Sequence, residues 1–401
     1  MKVNVGDVWK DVAGMQINIG DLWKNVNTAY INIGDTWKTF YTIGGVLFIG
    51  AGNQQTLIIE NGQVWAWGLN SVGQLGDNSV ISRCIPVSIL GAKKTFCAIA
   101  AGQNYSLGLD KNGQVWGWGY NYVGQLGNKT KINRCTPVSI LGAKKTFCKI
   151  TAGRAGGTEH SAGLDKNGQV WCWGYNGFGQ LGTNSTSGKC TPVSILGAKK
   201  TFCTIIAGYV ATFGIDKNGQ VWSWGLNGTG QLGINSTASR RTPVSILGAK
   251  KTFCTIDNRN TTLAIDKNGQ VWGWGYNFKY QLGDNTSINK CTPVSILGAK
   301  KTFCAISVGS DHSVGLDKNG QVWCWGANSV GQLGINSTGI RCTPVSILGA
   351  KKTFCTITAG YTYTIGVDKN NHVWGWGYNV YGNLGTNSTT SRLTPVRVCN
   401  F

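Results

Sequence analysis

The chain repeats itself. From about Gly44 to Phe401 one unit of about 51 residues recurs seven times, each marked by W-x-W-G at Trp65/Trp67, Trp116/Trp118, Trp171/Trp173, Trp222/Trp224, Trp272/Trp274, Trp323/Trp325 and Trp374/Trp376. Successive copies are 51, 55, 51, 50, 51 and 51 residues apart. Units this alike pack as equivalent neighbours and share one continuous core. The 401 residues therefore count as one repeat domain, residues 44–401, and a separate segment, residues 1–43.

The second copy shows what each unit is made of. Phe96 to Ala101 and Ser106 to Asp110 are short apolar or alternating runs. Lys111-Asn112-Gly113 is a tight turn, because Asn and Gly accept positive φ. Gln114 to Trp118 is a third strand, and after a loop Pro137 to Leu141 is an outer fourth, where an initial proline costs no ladder bond. No window has the apolar spacing of a helix. The expected fold is all-β: a seven-bladed β-propeller of four-stranded antiparallel blades, preceded by a small N-terminal segment of β-hairpin repeats. No run of 18 apolar residues is long enough for a membrane span, and the first twenty residues lack the apolar stretch of a secretory signal.

The text A-G-x-x-x-S-L-G-L-D-K-N-G-Q-V-W-x-W-G-x-N-x-x-G-Q-L-G is similar to the repeat of the regulator of chromosome condensation family, over all seven copies. That resemblance implies the propeller but no single activity, since members include a guanine-nucleotide exchange factor that docks on nucleosomes, parts of ubiquitin ligases and a bacterial inhibitor of β-lactamase. The chain departs from the exchange factor in lacking a long insertion within a blade. The histidine frequent in the family's first turn is present only as His160 and His312.

Residues 1–43 hold a different repeat: V-N-V-G-D-V-W-K, I-N-I-G-D-L-W-K and I-N-I-G-D-T-W-K, with Trp9, Trp23 and Trp37 spaced by 14. Each unit reads as strand, Gly-Asp turn and return strand. So small a segment has too little interior to bury three tryptophans alone, so it needs a partner, copies of itself, or the propeller to cap. It resembles short valine-glycine-tryptophan-lysine repeats of tail and fibre proteins of tailed bacteriophages, which implies attachment to virion or tail proteins, or a homo-oligomer.

Antiparallel order sorts the loops into two faces. The second-to-third turn and the connection to the next blade leave on one face; the first-to-second turn and the third-to-fourth loop leave on the other. The first of these faces carries Lys93, Lys94, Lys144, Lys145, Lys199, Lys200, Lys250, Lys251, Lys300, Lys301, Lys351 and Lys352 in its Gly-Ala-Lys-Lys connections, a large share of the formal charge of +21. This basic ring either attracts a polyanion, with strong salt dependence, or only solubilises the molecule. Because no aromatics are interleaved with the lysines, nucleic acid is the less favoured partner.

The other face varies. Its loops supply Tyr105, Tyr122, His160, Phe178, Tyr209, Phe278, Tyr280, His312, Tyr361, Tyr363 and Tyr381 around a fixed Asn in every third-to-fourth loop. Divergence confined to one face of a conserved scaffold reads as recognition or as drift; exposed Tyr among Asn, Ser and Gly suits adaptable binding loops.

No catalytic group or metal site is expected, nor any cofactor: the three histidines fall in different copies and no third ligand or nucleophile recurs beside Glu159/His160 or Asp311/His312. Five copies carry cysteines 13 apart, Cys84/Cys97, Cys135/Cys148, Cys190/Cys203, Cys291/Cys304 and Cys342/Cys355. These read either as disulfides or as thiols, and disulfides would place the chain outside a reducing cytosol. Asn-x-Ser/Thr at Asn128, Asn184, Asn235, Asn285, Asn336 and Asn387 reads as polar loop text.

Together these features point to a non-enzymatic binding or adhesion protein, a tail-associated or virion-surface propeller that recognises a host-surface glycan or protein. Its expected location is the virion or the extracellular space. The alternatives are a virion decoration protein without a receptor, and a cytoplasmic interaction module of the chromatin or GTPase-regulator sort that uses the lysine-rich face.

Overall fold

The computed structural model describes residues 48–401 apart from 91–94, 141–145, 155, 197–200, 247–251, 297–301, 349–352 and 400–401, together with the backbone of the strands in residues 2–47. The chain divides into two compact units, Met1–Leu47 and Phe48–Phe401.

In the first unit three antiparallel hairpins follow the 14-residue repeat: Lys2–Val5 with Val8–Asp11, Gln16–Ile19 with Leu22–Asn25, and Thr28–Ile33 with Thr36–Thr42. The register is the same in each, with Asn4 opposite Trp9, Asn18 opposite Trp23 and Asn32 opposite Trp37. The side chains of these tryptophans lie outside the described residues.

The remainder folds as seven four-stranded antiparallel sheets, each made of consecutive strands. Blade 1 runs Val46–Ala51, Gln55–Glu60, Gln63–Gly68 and Arg83–Ser88. Blade 2 runs Phe96–Ala101, Tyr105–Asp110, Val115–Gly119 and Arg134–Ser139. Blades 3 to 6 repeat this order from Phe147, Phe202, Phe253 and Phe303, and blade 7 ends with Arg392–Arg397. This is the seven-bladed propeller that the repeat length and glycine pattern imply.

Each W-x-W pair divides its labour. The second tryptophan is fully buried between blades. Trp224 of blade 4 enters a cluster with Ala162, Leu164, Leu181 and Ile195 of blade 3, and its indole N–H donates to the Gln180 carbonyl of that blade at 2.9 Å. Trp173, Trp274 and Trp325 do the same at their own junctions. At these four junctions the large ring supplies the apolar area while its one donor is satisfied by backbone, so no polar penalty falls there; the Nε1 atoms of Trp118 and Trp376 are buried without a partner. In blades 2 to 7 the first tryptophan donates instead to the aspartate that opens the second hairpin turn, as Trp222 does to Asp216 Oδ2 at 2.9 Å. The other oxygen of Asp216 accepts the amides of Asn218 and Gln220 and so fixes the turn. In blade 7 burial would raise the Asp368 carboxyl, but hydrogen bonds from Trp374 and from the amides of His372 and Asn370 hold it below the usual range.

Blade 7 closes on blade 1 without exchanging a strand. The closing contacts copy the internal ones: Trp67 Nε1 and Thr56 Oγ1 both donate to the Asn383 carbonyl at 2.9 Å, as Trp224 and Thr212 do to Gln180. The Asn387 amide reaches the Cys84 carbonyl at 3.0 Å, as the Asn235 amide reaches that of Cys291. Asn184, Asn235, Asn285, Asn336 and Asn387 all take left-handed backbone, φ between 51° and 60°. At these five sites that is why asparagine stands in the Asn-x-Ser/Thr text, since it tolerates this conformation better than other non-glycine residues; at the sixth, Asn128, the left-handed residue is Lys129 instead.

Of the two readings of the cysteine pairs, the structure holds thiols. No bond joins Cys84 to Cys97, Cys135 to Cys148, Cys190 to Cys203, Cys291 to Cys304 or Cys342 to Cys355, and all fourteen cysteines are thiols. The two members of a pair are turned to different neighbours. Cys84, Cys135, Cys190 and Cys291 on outer strands lie against the loop glycines Gly382, Gly73, Gly124 and Gly230 of the preceding blade. The second members face their own hairpin instead. Cys97 donates to the carbonyls of Leu109 and Asp110, Cys148 to those of Leu164 and Asp165, Cys203 to those of Ile215 and Asp216, and Cys304 to those of Leu316 and Asp317. In the fifth pair Cys342 stands on the outer strand of blade 6 and Cys355 is exposed on the first strand of blade 7. Burial pushes the Cys97, Cys304 and Cys355 thiols up, away from the reactive thiolate.

Candidate protein-binding face

First-to-second turns and third-to-fourth loops meet on one face, because the end of each third strand bonds the neighbouring turn: Tyr120 N to Asn104 O and Tyr175 N to Glu159 O, both 3.0 Å. The turns also bond one another around the axis. Asn53 N reaches Gln103 O, Gln103 N reaches Gly153 O, Arg154 N reaches Gly208 O, Ser310 N reaches Tyr361 O, and Tyr361 N returns to Asn53 O. At the two remaining junctions side chains replace backbone: Asn258 Oδ1 accepts Tyr209 N, and Asp257 Oδ2 accepts Val308 N. The inner rim is thus a closed belt of hydrogen bonds.

Outside the belt the loops hang on their fixed asparagine. Asn277, fully buried, donates to Asp284 Oδ1, Thr286 O and Ile288 O, and accepts the Leu282 amide at 2.9 Å. Asn70, Asn121, Asn176, Asn227, Asn328 and Asn379 repeat this pattern. The asparagine holds the loop's shape, which leaves its neighbours free to vary.

Four blades use that freedom for aromatic pairs. Tyr120 and Tyr122 stand 5.0 Å apart between ring centres, Tyr276 and Phe278 5.1 Å, Tyr175 and Phe178 6.4 Å, and Tyr378 and Tyr381 6.4 Å. Tyr122 and Phe278 are about three-fifths exposed, at 61% and 60%, and Phe178, Tyr381 and Tyr361 are exposed as well. Tyr209 is half-buried. Tyr280, half-buried too, occupies the place of a loop glycine and is held at φ 61°, a strained backbone for an aromatic residue.

Four residues expected on this face are inside the protein. Tyr105, His160, His312 and Tyr363 are fully buried, and each reaches into the next blade. Tyr105 OH donates to His160 O at 2.8 Å; His160 Nε2 meets Thr212 Oγ1 at 2.8 Å; His312 Nε2 meets Thr364 Oγ1 at 3.1 Å; and Tyr363 OH donates to Gln55 O at 2.6 Å. Burial pushes both imidazoles down to about 3, so they are neutral structural groups. The sequence carried a signal for this: all four stand directly before the S-L-G-L-D-like text, at the first position of the second strand rather than in the turn.

Charged side chains also stand in the first turns of this face. Glu159 is buried, and burial raises its carboxyl to about 7, an effect that the amides of Glu159 and Gly157 offset only in part. Arg154 and Arg259 lie in the turns of blades 3 and 5; Arg154 Nη1 is 3.7 Å from Asp257 Oδ2. The basic ring of Lys93, Lys94, Lys144, Lys145, Lys199, Lys200, Lys250, Lys251, Lys300, Lys301, Lys351 and Lys352 lies outside the described residues. Among the described residues no three His, Cys, Asp or Glu side chains gather as metal ligands.

The described residues thus build a closed seven-bladed propeller with one varied loop face. Models of the regulator of chromosome condensation (RCC1) repeat match residues 61–109, 112–164, 167–214, 218–256, 268–316, 319–367 and 370–401, and the chain belongs to that family. Among its relatives, the ultraviolet-B receptor UVR8 of Arabidopsis thaliana is 25% identical over 87% of this chain and 81% of its own length. The mitochondrial RCC1 domain-containing protein RUG3 of the same plant is 29% identical over 85% and 67%. The probable E3 ubiquitin-protein ligase HERC4 of Homo sapiens is 34% identical over 46% of this chain, which spans only 18% of that ligase. Prp20p of Saccharomyces cerevisiae, whose structure was described with its binding to Gsp1p and histones, superposes with a TM-score of 0.75 at 21% identity, over 89% of this chain and 88% of that one.

These relatives correct the expected function. They are a plant light receptor, a mitochondrial protein and a ubiquitin ligase, all from eukaryotic cells, and they overturn both the reading of a tail-associated receptor binder and the expected location on a virion or outside the cell.

Proposed function

We propose that the chain is a non-enzymatic interaction module of the regulator type, acting inside a cell and engaging a protein partner through its varied loop face. The observation that carries this is the set of four aromatic pairs on that face, in blades 2, 3, 5 and 7, each with one exposed ring: Tyr122, Phe178, Phe278 and Tyr381. Exposed aromatics are unfavourable in water unless covered by a partner, and they are the side chains most often found at the energetic centres of interfaces. The belt beneath them fixes the backbone, so little ordering cost falls on binding. Fourteen cysteines without a disulfide fit a reducing compartment. Residues 1–43 would raise avidity by self-association, since their small hairpins need apolar cover.

Histones and Gsp1p, the molecules named with Prp20p, are the first partners to test. Binding of each to the full chain is measured at two salt concentrations beside two variants. One carries Tyr122→Ser, Phe178→Ser, Phe278→Ser and Tyr381→Ser; the other replaces the twelve connection lysines by serine. Binding lost only in the aromatic variant supports the reading. Binding that salt abolishes and that only the lysine variant loses transfers the function to the basic face.

A further inference from the structure

Two arginines cross the axis of the propeller at the loop face. Arg259, in the first turn of blade 5, sends Nη2 to the Gly52 carbonyl of blade 1 at 3.0 Å. Arg154, in blade 3, sends Nη1 to the Val308 carbonyl of blade 6 at 3.3 Å. Neither contact is between adjacent blades, so both side chains lie across the mouth of the central channel.

Their charges are not balanced. Asp257 is the carboxylate beside them, 3.7 Å from Arg154, and its Oδ2 already accepts Val308 N at 2.8 Å and Ser307 Oγ at 3.1 Å. Arg259 is only 2% exposed, and its Nε and Nη1 have no hydrogen-bond partner. The surrounding groups do not repair this. His312 is neutral with its Nδ1 also unpartnered, the Tyr363 hydroxyl is spent on Gln55, and Tyr361 offers only its ring, 5.5 Å from the Arg259 guanidinium carbon. Burial, then the charge of Arg154, pushes Arg259 down to about 9, so it still carries its proton at neutral pH. A buried cation with unused donors is costly and is ordinarily resolved by an anion.

We propose that Arg259 and Arg154 form a receptor for one oxyanion, a carboxylate or phosphate group, on the propeller axis. Planar guanidinium donors suit either group. Tyr361, 40% exposed, is the ring over the guanidinium and the part that must swing aside to admit the anion. The anion is either free in solution or the acidic group of a docked partner. In the second case the site deepens the binding reading and rests on it; in the first it stands alone.

The test uses the full chain with no partner, so it fails or succeeds independently of the aromatic pairs. Arginine Nε–H resonances are followed while inorganic phosphate, and separately N-acetylglutamate, replaces chloride at constant ionic strength; Arg259→Lys identifies the Arg259 signal. A saturable shift of that signal, with a rise in Tm of about 2 °C that Arg259→Met abolishes, is the expected result. Response to phosphate alone marks a free phosphate site, and response to both marks a site for any oxyanion, an acidic partner side chain included. No saturable shift with either anion, or an equal Tm rise in Arg259→Met, overturns the proposal. Should Arg259→Met fail to fold, Arg154→Gln takes its place beside the resonance shift, which needs no destabilising variant.

Discussion

Tyr105 and Tyr122 belong to the same blade and the same end of the molecule, yet one is wholly buried and the other 61% exposed. The difference lies in where each stands on its strand. Tyr105 opens the second strand, whose side chains are all covered by neighbouring blades, so its hydroxyl must find protein partners and does, in blade 3. Tyr122 sits one residue past the buried Asn121, on a loop whose shape that asparagine holds together with Gln125 and Asn128. Two variable sets on one face thus have opposite physical roles. Turn-side residues at the strand start staple blades, and loop residues beyond the fixed asparagine are displayed.

Four tests, by substitution, break or sharpen this contrast. The largest effect is expected at ring closure: Tyr363→Ala should cost about 3–5 kcal/mol, because it leaves a cavity and strands its hydrogen-bond partners, whereas Tyr363→Phe should cost only about 1 kcal/mol. Denaturant midpoints read both, and similar small losses would mean that blade 7 closes without this staple.

Glu159 gives a pH-dependent effect. Its folded-state value of about 7 lies above the unfolded value of 4.5, so between them the folded protein holds a proton the unfolded chain has lost, and stability falls as pH rises. Glu159→Gln should therefore stabilise by about 3 kcal/mol at pH 8 and by almost nothing at pH 4. A gain of equal size at both pH values would show that the carboxyl is not the cause.

Asn277→Ala should cost about 2 kcal/mol by releasing one loop, and should move Tyr276 and Phe278 with it. Aromatic ring resonances confined to blade 5 would report that motion; a loss spread through all blades would deny that the asparagine acts locally. The smallest effect on stability is expected from Tyr122→Ser and Phe278→Ser, within about 0.5 kcal/mol, since neither ring is buried. A fall of several degrees in Tm would place them with the staples instead.

Much of this was legible before any coordinates. The repeat length gave blades, Asp-Lys-Asn-Gly gave hairpins, and the alternation of loops gave two faces, because each follows from residues close in sequence and from a pattern repeated seven times. The cysteine pairs show where that logic stops. A constant spacing of 13 suggested partnership, but in Cys135/Cys148 and Cys190/Cys203 the first cysteine packs on the preceding blade's loop glycine and the second on its own hairpin, a choice made by blade-to-blade packing. The likeness of residues 1–43 to tail and fibre repeats likewise pointed to a virion, while the relatives of the larger unit are cellular proteins.

By itself, then, the sequence determined the seven blades, their strand order and the sign of charge on the connections, since local propensity and periodicity decide those. Only the tertiary structure decided which aromatics are inside and that Arg154 and Arg259 meet across the axis. Those two residues are over a hundred positions apart and lie in turns with no shared motif; closing a ring brings its inner turns together regardless of their distance along the chain.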